Sequence, residues 1–195
     1  MSSAAFVSSF RLRLASDTLH SGGVLAYPTE AIWGLGCDPD NTSALKRLIQ
    51  LKRRDVGKGL ILVAASADQL EPYIQAMSEA QKQLLATDFG HAVSWVVPAT
   101  AHTNPLLTGG RQTLCVRVST HPVVSGLCEE FGAPIVSTSA NRSGLSASKT
   151  LFSARKAFGD SVDYYLAGAT GGARHASEIR DLNSGATIRS VPKAG

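Results

Sequence analysis

Aromatic residues are scarce in this 195-residue chain, at 6%, and there are only three cysteines. Cys37, Cys115 and Cys128 are odd in number and form no CxxC pair. That argues against a disulfide framework or a structural zinc site and for a reducing compartment. No segment approaches the ~20 apolar residues of a membrane span. There is no GxxxxGK[ST], no GxGxxG after a strand, no GxSxG elbow and no HExxH or other metal spacing among the five histidines. No nucleophile-plus-base pair stands out. The N-terminus lacks a secretory h-region and an A-x-A site. Residues 1–14 are Ser-rich with Arg11 and Arg13, weakly like a transit peptide, but an amphipathic helix presenting Phe6, Phe10 and Leu14 explains them as well. A cytoplasmic protein with no membrane partner is the expectation.

Hydrophobic content of 44% against 17% charged is that of a globular chain able to bury a core, here expected as one domain over 1–195. The net charge of +4 permits anionic ligands without demanding them. The excess is concentrated between Lys46 and Lys58, where Lys46, Arg47, Lys52, Arg53, Arg54 and Lys58 face one acid, Asp55. Directly afterwards Leu60 to Ala65 reads as a strand buried on both faces. Gly57 and Gly59 loosen the backbone between them. Cations on a Gly-containing loop beside a buried strand suit a phosphate ester. Lys46, Arg47 and Arg53 read as a solvated helix face, whereas Lys52, Arg54 and Lys58 are the functional candidates.

The pattern predicts a helix from about Ala4 to His20 and short strands at Val24–Tyr27 and Ala31–Cys37, with close backbone approach at Gly34 and Gly36. A helix capped at Asn41 or Thr42 buries Leu45, Leu48 and Ile49 and delivers the chain to Lys52. Capping boxes at Ser66-x-x-Gln69 and Ser78-x-x-Gln81 predict two helices, the second through Leu85. A strand at 92–97, an exposed loop at 99–112 and an alternating strand at 114–119 follow. Then come a helix from Pro122 to Gly132, a strand at 134–137, a helix at 148–158, a strand at 162–166 and a hairpin over 179–189. Strands alternating with helices indicate an α/β fold around a mixed sheet. Ser137-Thr-Ser-Ala-Asn141 leaves a strand end with small hydroxyls and an amide, equally suited to binding phosphate oxygens or to capping a helix. Arg117, in mid-strand, needs a salt bridge or a cleft. His121 reads as structural or capping, and Thr29 as a turn residue.

Together these motifs resemble the YrdC (TsaC) family, the threonylcarbamoyl-AMP synthases. The resemblance rests on Ala26-Tyr-Pro-Thr-Glu-Ala31, Gly34-Leu-Gly-Cys-Asp38, Leu51-Lys-x-Arg54, Lys58-Gly-Leu-Ile-Leu62, Val116-Arg-Val118 with His121-Pro122, Ser137-Thr-Ser-Ala-Asn141 and Ser177-x-Ile-Arg-Asp181. It covers nearly the whole chain and is closest to the short bacterial form. It implies a twisted mixed sheet flanked by helices with a basic concave cleft. It also implies synthesis of threonylcarbamoyl-AMP and pyrophosphate from L-threonine, bicarbonate (or CO2) and ATP, for the t6A modification of tRNA. By this analogy Lys52, Arg54, Ser139 and Asn141 carry catalysis and, with Thr113 and Arg189, hold ATP. Thr29, Lys58, Arg117 and Ser177 hold threonine, Arg117 through its carboxylate. Magnesium comes with the triphosphate, no metal is held by the protein, and a separate transferase complex takes the adenylate onward, with tRNA as a further candidate partner.

Two departures from the family pattern stand out. Gly90-His-Ala-Val-Ser94 replaces a Pro-Gly-Pro-x-Thr segment, and Arg189-Ser-Val191 replaces Arg-x-Gly. The rival reading from another class is a module binding tRNA or double-stranded RNA through the same cations. The low aromatic content and the lack of an RNP-like motif weigh against it.

Overall fold

The computed structural model describes residues 7–190. In chain order its elements are α1 (Ser9–His20), β1 (Leu25–Pro28), β2 (Trp33–Gly36), α2 (Thr42–Lys52), β3 (Ile61–Ala64), α3 (Glu79–Ala86), β4 (Val93–Pro98), α4 (Pro105–Thr108), β5 (Thr113–Val118), α5 (Pro122–Phe131), β6 (Ile135–Ser139), α6 (Leu151–Phe158), β7 (Tyr164–Tyr165), β8 (Glu178–Asp181) and β9 (Thr187–Arg189). The strands form one mixed sheet in the order β7-β1-β2-β6-β3-β5-β4-β8-β9. No described helix is long and apolar enough to cross a membrane.

Strand residues alternate between two cores, because successive side chains leave a strand on opposite faces. Val24, Ala26, Leu62 and Val136 join Leu45 and Leu48 of α2 on one side. Leu25, Tyr27, Val63 and Ile135 join Leu19 of α1 and Val124 and Leu127 of α5 on the other. Fully burying each such aliphatic chain contributes roughly 1.5–3 kcal/mol, so the central strands are clamped from both faces.

The strand β6 is the pivot. Its first half pairs antiparallel with β3 (Ile135↔Val63, Ser137↔Ile61), while Thr138 and Ser139 pair with Leu35 and Gly34 of β2. Gly36 makes the crossing possible, since a Cβ there would lie 2.4 Å from the Val136 carbonyl.

Several expectations need correction. In α1 the buried residues are Ala15, Ser16 and Leu19, while Phe10 and Leu14 are exposed, and Ala4 and Phe6 lie outside the described residues. The Ser66 capping box does not form. Gln69 instead accepts from the Ala65 N–H and donates to the Cys128 carbonyl, leaving only a 3-10 turn at Asp68–Leu70, whereas the Ser78 box is intact. Residues 99–112 are no exposed loop, for they contain α4 and bury Thr103, Leu107 and Thr108. Gly59, at φ 60°, does not loosen the chain but lets it press on α4, with the Leu107 carbonyl 2.7 Å from where a Cβ would sit. Arg47 is not merely solvated; it bonds Asp163 at 2.5 and 3.0 Å.

Candidate active site

The ends of β1, β2, β5 and β6 open onto a cleft of about 740 Å³, measured out to its mouth. That is within the range of small-molecule sites. Thr29, Glu30, Arg54, Arg117, Ser139, Ser177 and Arg189 line it, together with Thr138 and His175. Six of the residues singled out in the sequence are therefore brought together from five separate segments.

Lys52 and Arg54 part company at the end of α2. The helix closes with Arg53 in the left-handed region at φ 50°, the Arg53 N–H bonding the Gln50 carbonyl and the Arg54 N–H the Ile49 carbonyl. That reversal turns Lys52 inward and Arg54 towards the cleft. The buried Lys52 ammonium donates to the carbonyls of Ser139 and Asn141, the latter at 2.9 Å, and to Asn141 Oδ1 at 3.2 Å. Ser139 Oγ also donates to Asn141 Oδ1 at 2.6 Å, and Asn141 Nδ2 donates to the Leu145 carbonyl. Lys52 and the S-x-N motif thus form a clamp on the exit of β6, in which only Ser139 lines the cleft. Burial, and then the charge of Arg54, pushes Lys52 down to about 8.

Arg54 makes one bond from Nε to the Gly59 carbonyl, at 3.0 Å. Burial lowers its pKa; Asp55 opposes this, and the neighbouring charges of Arg111 and Arg189 add to it. Arg111 is spent on the loop backbone, through the carbonyls of Gly57 and Lys58. Arg189 Nη2 donates to the Ser177 carbonyl at 2.6 Å and contacts its hydroxyl at 3.3 Å. The hydroxyl kept at Ser94 donates to Ser177 Oγ at 2.9 Å. The altered Gly90–Ser94 segment is also tied to the hairpin by His91 Nε2, 2.8 Å from Glu178 Oε2.

At the opposite wall Arg117 is both paired and at the cleft. Its Nη2 lies 3.2 Å from Glu30 Oε2, and Glu30 Oε1 accepts from Ser119 Oγ at 2.6 Å. Burial alone would raise the Glu30 carboxyl, but Arg117 and Ser119 outweigh it and hold it below its usual range. Thr29 Oγ1 donates to the Ile32 carbonyl, and the residue is buried in the wall of the cleft. Lys58 is exposed and Thr113 starts β5; neither lines the cleft. His121 occupies the N-cap position of α5 without capping it, and burial of its ring disfavours the imidazolium. Glu30 was missed in the sequence, where its only mark is position within Tyr-Pro-Thr-Glu; its pairing with Arg117 is a tertiary fact. Among the described residues no cluster of His, Cys, Asp and Glu could hold a metal ion.

The fold and cleft define an α/β protein with a small-ligand site built at strand ends. The chain belongs to the Sua5/YciO/YrdC family, whose model, described as "Telomere recombination", matches residues 17–191. It is 49% identical over 179 residues to a threonylcarbamoyl-AMP synthase of Chromohalobacter salexigens, covering 92% of this chain and 96% of that one. A synthase of the same name from Saccharophagus degradans is 49% identical over 172 residues, covering 88% and 90%. Among solved structures, P. abyssi Sua5 complexed with L-threonine superposes with a TM-score of 0.84 at 26% identity, over 91% of this chain and 52% of that one. The chain thus spans about half the length of Sua5.

Proposed function

We propose that this protein is a threonylcarbamoyl-AMP synthase, a nucleotidyltransferase that converts L-threonine, bicarbonate or CO2, and ATP into threonylcarbamoyl-AMP and pyrophosphate. The observation that carries this reading is the charge layout of the cleft. Glu30 is the only carboxylate among the lining residues and is engaged by Arg117, so Arg54 and Arg189 face the opening without a counter-charge from the lining. A polyphosphate supplies that charge. Relatives of this name at 41–49% identity, over most of the chain, support the same reaction and disfavour the RNA-binding reading.

In this reading Arg54, Arg189 and Ser139 meet the nucleotide, and Lys52 and Asn141 act through Ser139. Arg117 takes the threonine carboxylate, with Thr29 and Ser177 beside it. Thr113 and Lys58 do not line the cleft and keep only the places that the family resemblance gives them, beside ATP and threonine respectively. The threonine amine is carboxylated, a carbamate oxygen bonds to the α-phosphorus, and pyrophosphate departs with the electron pair of the broken bond. Such a transfer needs positioning and charge neutralisation rather than a protein nucleophile, which fits a lining of arginines and hydroxyls. Magnesium belongs to the nucleotide substrate. The adenylate passes to a separate transferase complex for t6A formation on tRNA. The three thiols, Cys37, Cys115 and Cys128, are unpaired and fit a reducing cytoplasm.

The test is pyrophosphate release from ATP, magnesium and bicarbonate with and without L-threonine, using serine and valine as controls. Release that depends on threonine is expected. No release, or equal release with valine, would overturn the assignment.

A further inference from the structure

We infer that Glu30 is a positioning residue, one that fixes the Arg117 guanidinium at the cleft wall to receive the carboxylate of the amino-acid substrate. This rests on the assignment of Arg117 to threonine made above.

Glu30 is itself unusually well held. Its carbonyl accepts from the Ala173 N–H at 2.9 Å, and the preceding Thr29 carbonyl accepts from the Gly171 N–H at 3.0 Å. Gly171 lies against it so closely that a Cβ would meet the Glu30 carbonyl at 3.1 Å and Cα at 3.2 Å. On the side chain, Ser119 Oγ donates to Oε1 at 2.6 Å while accepting the His121 N–H at 3.2 Å. Oε2 is then left for Arg117, whose guanidinium carries one of the few charges buried in this protein, at 8% exposure. A long, rotamer-rich side chain gains direction from such an anchor, and an arginine held in one orientation loses less entropy when it binds. Glu30 meets Nη2 as an ion pair only, for Oε2 makes no hydrogen bond and the Arg117 Nε is buried without a partner. The guanidinium thus keeps its Nη donors for a ligand carboxylate.

The experiment is steady-state kinetics of threonine-dependent pyrophosphate release for Glu30→Gln, Ser119→Ala and Arg117→Lys. Glu30→Gln keeps the shape and removes the charge. Its threonine KM is expected to rise roughly 10- to 100-fold, with kcat within about threefold and the ATP KM unmoved. Ser119→Ala, which frees the carboxylate without discharging it, is expected to move the same parameter by a smaller factor, and it decides the matter if Glu30→Gln fails to fold. A threonine KM that is unchanged or lowered in the folded variants would overturn the inference, the latter by showing that Glu30 competes with substrate. An equal loss in kcat and in both KM values would likewise reduce Glu30 to a structural part. If Arg117→Lys leaves the threonine KM alone, the assignment of Arg117 itself fails, an outcome separate from failure at Glu30 alone.

Discussion

Replacing Lys52 by methionine separates two roles that the K-x-R motif blurs. The substitution keeps length and volume while removing the charge and three donors. Asn141 Oδ1 retains the Ser139 hydroxyl and the Ser139 carbonyl retains the Asn141 N–H, so only the Asn141 carbonyl is left without a partner. Leaving that acceptor unsatisfied costs about 1–3 kcal/mol and losing the two shared bonds about 1 kcal/mol each, a gross loss of about 3–5 kcal/mol. Against it stands relief from burying a charge. The fall of the lysine from 10.5 to about 8 measures that penalty as about 3 kcal/mol. The net expectation for Lys52→Met is a loss of up to about 2 kcal/mol, or at most roughly 8 °C in Tm for a chain of this size. Pyrophosphate release should fall as well, because the exit of β6 that carries Ser139 is no longer pinned. Urea unfolding and the release assay on the same preparation test this. A variant that keeps full pyrophosphate release would refute the clamp as what positions Ser139.

Other consequences follow from the same geometry. Arg54→Met loses one hydrogen bond, so it should cost about 1 kcal/mol in stability while raising the ATP KM; an unmoved ATP KM would argue against the division of labour. The lysine pKa is lower in the folded chain than in the unfolded one, so the unfolded state binds more protons between about 8 and 10.5. Across that window wild-type stability should therefore climb relative to Lys52→Met, by up to about 3 kcal/mol, as read from urea midpoints; a flat difference would contradict the burial of the charge. Gly36→Ala sets a methyl 2.4 Å from the Val136 carbonyl and 2.8 Å from Tyr27 and should cost more than about 3 kcal/mol, whereas Gly34→Ala, with neighbours no closer than 3.2 Å, should cost no more than about 1 kcal/mol. Burial pushes Cys115 up to about 11 and Cys128 to about 12, and raises Cys37 also, so a thiol reagent at pH 8 should label the native protein slowly and all three residues quickly in urea.

What the sequence made legible was whatever depends on neighbours along the chain. The Asn41 cap accepts the Ala44 N–H as the pattern requires, and Leu45, Leu48 and Ile49 are buried as their spacing predicts. The unbroken run at Leu60–Ala65 is the central β3, covered on both faces. Local signals misled where a distant partner outbid them. Ser66 and Gln69 have the spacing of a capping box, but Gln69 is drawn to the Cys128 carbonyl instead. Residues 99–112 read as a loop from their Pro, Gly and Thr content, yet Asn104 caps a turn of helix whose Leu107 is buried. In the cleft, residue type pointed to Arg54, Arg117 and Ser139 and the family resemblance to Arg189, and the fold brings all four to the lining. The difference between Lys52 and Arg54 was hidden, because it arises from one left-handed residue between them.

The cations of the site therefore fall into two kinds, and the cost of burial decides which is which. A charge taken fully out of water must be met by acceptors that the fold supplies permanently. Lys52 is met by the carbonyls and amide of the β6 exit, and Arg117 by Glu30, so both are parts of the framework as well as of the site. Arg54, half-buried, and Arg189, exposed, make one and two bonds to backbone or hydroxyl oxygens and face no carboxylate of the lining. They keep charge to spare for a ligand. Substitutions in the first pair must move stability and activity together, while those in the second must move activity almost alone. Because Lys52 and Arg54 are two residues apart, no reading of the motif as a single phosphate grip can produce that contrast.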